Sequence, residues 1–467
     1  MSSRLRFSGR FIAVLLITGA VLLLPTPQGL TPEGKRAMAA FVFTGAVFAL
    51  QPVSLPFASL MVSVALVSLG VADVTQAFET FSRPIITLIL GSLFLAEALR
   101  KQGVTRRYAL RSIVASGGSV NRILLGMMGI AALLSMWMEN TATAAVLIPV
   151  ALTIANQVKD RESAQEITVL LVLGIAYAAS LGGMVTVTGS ASNAVAAGFL
   201  TEIKVWTFLD WVRYGLPAFL VVFPITWWLL LRLVKVRQRF IDISLAEKEL
   251  EDLGGLRFVE WEVLLTLGVT AVVWILGASI EPVLSLPPTV LSPAVVSMAA
   301  VAFLSLRGVI AWEDVKGVSW GMVFIIGAGL SLGETLTRTG ATAWLSEMIN
   351  PMISGSPFIV SLLVLVFASA LLTNVINNTT MAAIFVPILI NLARQDPSLN
   401  AVQLVLPMTL ATTFGYSLPS ASGRMALISA TGIVKRSNMM RYGLIMTVAS
   451  AAALVALFYT LTLLRLI

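Results

Sequence analysis

Two stretches of this chain place polar side chains where everything around them is apolar. One is "MWMENTATAAVLIPVA" (136–151), holding Glu139, Asn140 and Thr141. The other is "NVINNTTMAAIFVPIL" (374–389), holding Asn377, Asn378 and Thr379. Each runs on to a proline, Pro149 or Pro387. Amide side chains offer a donor and an acceptor together. Thr141 and Thr379 are placed to open a helix, and the first N–H groups of a helix have no partner within it. Those groups and the positive helix end bind an anion without any cationic side chain. Two such ends meeting would hold a two-ended anion, one end each.

A second pair of polar breaks accompanies the first, "TVTGSASN" (186–193) and "YSLPSASG" (416–423). Their carbonyls and hydroxyls, Ser422 among them, suit a small hard cation such as Na⁺. Serine, threonine and glycine in apolar segments also serve helix packing alone. The ordered recurrence sets these stretches apart.

The elements that must position these residues are membrane helices. Of 467 residues 58% are hydrophobic and 12% charged, against about 25% charged in soluble domains. Apolar runs long enough to cross a bilayer recur from end to end, and only helices suit them. There is no Cys and no His, which removes disulfides, thiolate chemistry and imidazole proton shuttles. No cofactor is expected, and the composition argues against an enzyme. The net charge of +8 is read as basic cytoplasmic loops rather than a nucleic-acid surface. The N-terminus, "MSSRLRFSGR" before an apolar run, is shaped like a signal peptide. No small-residue cleavage site follows it, so it reads as an uncleaved first span with a cytoplasmic N-terminus.

The halves of the chain repeat each other. "LGSLFLAEALRKQG" (90–103) aligns with "GAGLSLGETLTRTG" (327–340), placing Glu97 on Glu334. "ENTATAAVLIP" (139–149) aligns with "NNTTMAAIFVP" (377–387), "GSASNAVA" (189–196) with "PSASGRMA" (419–426), and "VRYG" (212–215) with "MRYG" (440–443). Such duplication marks secondary transporters, with the site where the repeats meet at midplane. If each Asn-Thr stretch is the tip of a re-entrant hairpin, most of the 31 Lys and Arg fall on the N-terminal, cytoplasmic side. The hairpins then open to opposite sides.

The expected fold is an all-α polytopic membrane protein of inverted repeats, with about eleven transmembrane helices, two re-entrant hairpins and helices broken at midplane. Scaffold helices occupy 1–83. A first repeat covers 84–231, with a hairpin at 123–158 and a broken helix at 166–200. A charged cytoplasmic linker at 232–260 is read as solvated. Scaffold helices follow at 261–317. The second repeat covers 318–467, with a hairpin at 358–395 and a broken helix at 401–430. Glu97 and Glu334, at helix ends, are read as snorkelling toward the interface.

These motifs resemble the divalent anion/sodium symporter family, whose members carry dicarboxylates, citrate or sulfate. The likeness covers most of the chain. It implies a transporter of small divalent anions in the cytoplasmic membrane, working as a homodimer by an elevator motion and coupled to Na⁺, with H⁺ as the alternative. A C4-dicarboxylate is the first expectation, with citrate or sulfate also open. It implies that Asn140, Thr141, Asn378 and Thr379 contact substrate and bracket two sodium sites. Gly189, Ser190 and Asn193 match the family's first broken helix, so that Na⁺ would sit at Glu139, Asn140 and Asn193.

The chain departs from the family at the site itself. Glu139 and Asn377 stand where the family has Ser. Gly423-Arg424-Met425 stands where it has Pro-Pro-Asn. Glu139 would bind a cation, carry a coupling proton, or pair with Arg424. Arg424 would clamp the anion or replace the second sodium, its fork suiting carboxylate or sulfate. Alternatively it reaches the cytoplasmic interface. A lower dependence on Na⁺ than in typical relatives is the resulting expectation. A cation/proton antiporter or an arsenite-type efflux transporter of similar architecture is the competing reading.

Overall fold

The computed structural model describes residues 3–353 and 355–467, and the first residues of the basic N-terminal flank lie outside them. Helices build the protein, and the described residues contain no strand, only an isolated antiparallel bridge between Ser119 and Phe240. Polar caps set several starts. Thr31 accepts from the Gly34 amide, Asp160 from Ser163, and Thr207 forms a capping box with Asp210. Each cap satisfies donors that the helix cannot.

Among the described residues, five helices are long and apolar enough to cross a membrane: Arg161–Gly183, Phe208–Leu233, Phe258–Val283, Trp320–Arg338 and Arg436–Leu463. A sixth arises if Val74–Ser82 and Pro84–Lys101, bent by 45°, count as one span. This is fewer than the expected eleven. A span needs about 20 residues, and most of the other apolar runs are cut into shorter helices. Hydropathy registers the run but not the break inside it.

Two runs of helices follow the same order. The first is Pro84–Lys101, Val104–Ala115, Val120–Ser135, Asn140–Ala155, Arg161–Gly183, Ala191–Leu200 and Phe208–Leu233. The second is Trp320–Arg338, Ala341–Ile353, Phe358–Leu372, Asn378–Gln395, Ala401–Ala411, Gly423–Thr431 and Arg436–Leu463. Both Asn-Thr stretches are therefore tips between the end of one helix and the start of the next. Packing between the runs is reciprocal. Asn140–Ala155 lies against Gly423–Thr431, and Asn378–Gln395 lies against Ala191–Leu200. Such exchange is expected of two units related by a two-fold axis.

The apolar core of the described residues forms three clusters. The largest joins both hairpins and both broken helices. A second holds the N-terminal helices against Ala328, Leu332 and Leu336. A third packs Leu95 and Leu99 against Val263, Ala300 and Leu304.

The segment 232–260 exposes most of its charged side chains but is also structured. It contains the helix Ser244–Leu253 and buries Ile241, Ile243 and Ala246. Arg107 reaches into it. The guanidinium meets Glu260 at 3.2 Å and donates to the Gly254 and Leu253 carbonyls at 2.6 and 3.1 Å. Arg107 and Glu260 are only 1% and 3% exposed. A buried pair with satisfied donors tolerates desolvation, whereas a broken one does not.

Candidate functional site

Each tip ends one helix and starts another after a short turn, 136–139 in the first and 373–377 in the second. After Val120–Ser135 the amides of Trp137 and Met138 close on the Leu134 carbonyl at 3.0 and 2.8 Å. After Phe358–Leu372 those of Val375 and Ile376 close on Leu372 at 2.9 and 2.8 Å. Glu139 and Asn377 then cap the new helices. Asn377 Oδ1 accepts from the Thr379 amide at 2.9 Å. Glu139 accepts from Thr141 and Ala142, both at 3.1 Å. The tips also share an internal pair: Ser135 Oγ lies 2.7 Å from Asn140 Oδ1, and Thr373 Oγ1 lies 2.5 Å from Asn378 Oδ1.

The tips are thus alike in backbone and unlike in charge. At the first, two of the N–H groups expected to receive an anion are already held by the carboxylate of Glu139. A dianion with one end at each tip would have to share the first helix end with Glu139.

The broken helices cross these tips. Between Gly183 and Ala191 the backbone turns back on itself, and Thr188 Oγ1 donates to the Met136 carbonyl at 3.2 Å. Gly189 has to be glycine, because a Cβ there would meet the Gly183 carbonyl at 2.6 Å and that of Ser135 at 2.8 Å. Asn140 sits against this turn. Its amide has Ser135 Oγ at 2.7 Å, the Ala179 carbonyl at 3.0 Å and the Gly189 carbonyl at 3.2 Å as neighbours. Asn193 is fully buried and donates to the Gly183 and Thr186 carbonyls at 2.9 and 2.8 Å, while its Oδ1 has no hydrogen-bond partner.

In the second broken helix the chain runs from Ala411 through short turns to Gly423. Arg424, 2% exposed, donates through Nη2 to the Thr413 carbonyl at 3.2 Å and that of Gly415 at 3.5 Å. Its Nε is buried without a partner. The two breaks are also tied directly, since Ser180 Oγ donates to the Thr413 carbonyl at 2.6 Å.

One cavity of about 300 Å³ lies where tips and breaks meet. It is lined by Glu139, Asn140 and Thr141 from the first tip, and by Asn377, Asn378 and Thr379 from the second. Gly189, Ser190, Ser422 and Arg424 line it from the breaks. Asn193 does not line it. Glu139 and Arg424 share the cavity, but among the described residues they form no direct ion pair. Arg424 does not reach an interface either, since its guanidinium turns inward onto the break.

Glu97 and Glu334 lie outside the cavity and are held rather than snorkelling. Glu97, buried beside Gly317, takes Arg100 Nε at 2.7 Å. Glu334 pairs with Arg83, which also reaches Glu202 at 3.5 Å.

The remaining wall escaped sequence reasoning. Leu55 and Pro56 come from the start of Leu55–Ser68, and Ser319, Gly321, Met322 and Ile325 from the start of Trp320–Arg338. Apolar residues at helix starts carry no signal that separates a cavity wall from a lipid-facing surface.

Comparison with known proteins agrees in direction. The model of the sodium:sulfate symporter transmembrane region matches residues 6–465. An uncharacterized transporter of Haemophilus influenzae is 30% identical over 436 residues, covering 92% of each chain. The sodium-dependent dicarboxylate transporter SdcS of Staphylococcus saprophyticus is 26% identical, covering 94% of this chain and 88% of its own. SdcS of Staphylococcus aureus is 27% identical, covering 95% and 90%. Among solved structures, the YdaH transporter of Alcanivorax borkumensis aligns over 98% of both chains, with a TM-score of 0.54 at 13% identity, a likeness of fold alone. With nearly its whole length matched, this multi-pass membrane protein belongs to the sodium:sulfate symporter family of transporters.

Proposed function

We propose that the protein is a secondary active symporter that carries a small divalent anion, a C4-dicarboxylate first, across the cytoplasmic membrane with Na⁺. The observation that carries this reading is the convergence of both Asn-Thr tips and both broken helices on one cavity holding a buried Arg424. A cavity of about 300 Å³ suits a small solute. The sodium-dependent dicarboxylate carriage named for the SdcS relatives supports the same substrate class. Citrate and sulfate stay within that class.

The cation belongs at the first tip. The Gly189 and Ala179 carbonyls and Ser135 Oγ form an oxygen cage around the Asn140 side-chain amide, which donates to all three, and oxygens of this kind are what a hard cation takes. Glu139 adds negative charge beside it. The unpartnered Oδ1 of Asn193 supplies a further oxygen behind the cage. The anion belongs toward the second tip, on Asn378, Thr379 and Arg424. Thr141, Asn377, Ser190 and Ser422 complete the enclosure.

Reciprocal packing of the two helix runs supports inverted repeats whose hairpins enter from opposite faces and turn at midplane. Most Lys and Arg then face the cytoplasm with the N-terminus. The hairpins and broken helices share one apolar core, apart from the N-terminal helices. This division suits an elevator in which the hairpin domain slides against the N-terminal helices, which wall the cavity at Leu55 and Pro56. A homodimer of scaffolds completes the reading.

The test is uptake into proteoliposomes of labelled succinate, citrate and sulfate, with imposed Na⁺ or pH gradients. Succinate uptake that rises with inward Na⁺ is expected. Uptake driven by a pH gradient alone would replace Na⁺ by H⁺. Cation efflux without anion movement would overturn the reading.

A further inference from the structure

The internal repeat gives Arg424 a meaning that the cavity alone does not. In the aligned breaks "GSASNAVA" (189–196) and "PSASGRMA" (419–426), Asn193 corresponds to Gly423, and Ala194 to Arg424. Asn193 latches the first break by donating to the Gly183 and Thr186 carbonyls. The second break has no such amide. A side chain at Gly423 would press on Thr141, whose Oγ1 lies 2.6 Å from the Cβ position. The neighbouring Arg424 reaches across instead and donates to Thr413 and Gly415. The same register carries Gly183 onto Thr413. One guanidinium therefore replaces the missing amide at one equivalent carbonyl, that of Thr413, and takes Gly415, one residue short of the position matching Thr186, for its second.

The exchange brings in a full positive charge that the latch does not need. A guanidinium stays protonated in proteins. Arg424 is buried, lines the cavity, leaves Nε without a partner and has no ion pair among the described residues. A buried cation in that state calls for an anion. At the opposite tip the fixed charge is the carboxylate of Glu139, spread over the Thr141 and Ala142 amides. The cavity thus holds one fixed charge of each sign, the Glu139 carboxylate on the first tip and the Arg424 guanidinium on the second break.

We infer that Arg424 is a tethered cation: it closes the second break, binds one end of the dianion, and takes the place of a mobile cation at that break. Only the first tip then requires Na⁺. The inference rests on the symport reading and deepens it.

The test uses the full-length protein. Anion binding is followed by succinate-induced thermal stabilisation, and transport by succinate uptake, each titrated with Na⁺. The wild type is expected to show a Na⁺ Hill coefficient near one in both. Arg424→Gln keeps donors for the break but removes the charge. It is expected to raise the apparent Kd for succinate at least about tenfold, with a Na⁺ dependence steeper than wild type. Arg424→Lys keeps the charge and is expected to stay within about threefold of wild type in Kd, with an unchanged Hill coefficient.

A wild-type Hill coefficient of two or more overturns the inference. So does an Arg424→Gln protein that binds succinate like wild type, which would leave Arg424 as a latch alone. If Arg424→Gln does not fold, Arg424→Lys and the wild-type titration decide. Succinate binding with the expected variant pattern but no uptake would refute symport and leave the tethered cation standing. No binding of succinate, citrate or sulfate by the folded wild type refutes both.

Discussion

Replacing Glu139 by Gln removes a charge and leaves a side chain of nearly the same shape. In the wild type both carboxylate oxygens are engaged, one with the Thr141 amide and one with Ala142, at 3.1 Å each. Glutamine has one acceptor oxygen and loses one of these bonds, so the cap weakens by about 0.5–2 kcal/mol. The charge acts on the adjacent oxygen cage as well. Two unit charges about 5 Å apart interact by roughly 3 kcal/mol at an effective dielectric of 20. Partial exposure of the cavity lowers that, and about 1.4–2.8 kcal/mol corresponds to a ten- to hundredfold change in affinity. The half-saturating Na⁺ concentration should therefore rise at least tenfold, while the succinate Kd at saturating Na⁺ stays within about threefold. The assay is succinate uptake into proteoliposomes against Na⁺ concentration, with ionic strength held constant by choline. A half-saturating Na⁺ concentration within twofold of wild type would refute the argument that Glu139 sets the charge of the cation cage.

Other perturbations separate the site from its support. Gly189→Ala forces a Cβ to within 2.6 Å of the Gly183 carbonyl, and Na⁺-dependent stabilisation should disappear; a retained Na⁺ shift in Tm would count against the cage. Gly423→Ala pushes on Thr141, an overpacking of about 1–3 kcal/mol, and should cut uptake at least tenfold, with wild-type rates as the contrary result. Arg107→Ala strands Glu260 in a buried pocket and should cost about 3–5 kcal/mol, read as a lowered Tm with unchanged succinate affinity in the protein that remains folded. An unchanged Tm would show that the 232–260 segment does not depend on this pair.

What could be read from the sequence was what stands out against an apolar background. The Asn-Thr tips did so, and so did the Ser-Ala-Ser breaks, because polar groups at membrane depth need a reason. Glu139 was noticed, but its immediate task was not. An acidic residue before an apolar run is also an N-cap signature, and the carboxylate here closes on its own helix. Fewer single helices of crossing length than apolar runs are found, because hydropathy cannot distinguish a continuous helix from two short helices meeting at a break. The Arg107–Glu260 pair links positions 153 residues apart, and no local pattern announces it. Leu55 and Met322 line the cavity with side chains that look the same facing lipid.

The absence of Cys makes the central claim open to a direct test. That claim is that a dianion and Na⁺ meet in the cavity between the two tips. Ser422 lines this cavity and its Oγ has no partner, so Ser422→Cys places a single thiol at the site. Val375→Cys, at an exposed position outside the cavity lining, serves as the control. The account predicts that succinate slows modification of the Ser422→Cys thiol by a charged maleimide only when Na⁺ is present, and leaves the control unchanged. Equal labelling rates with and without succinate and Na⁺, in a protein that still transports succinate, would contradict it.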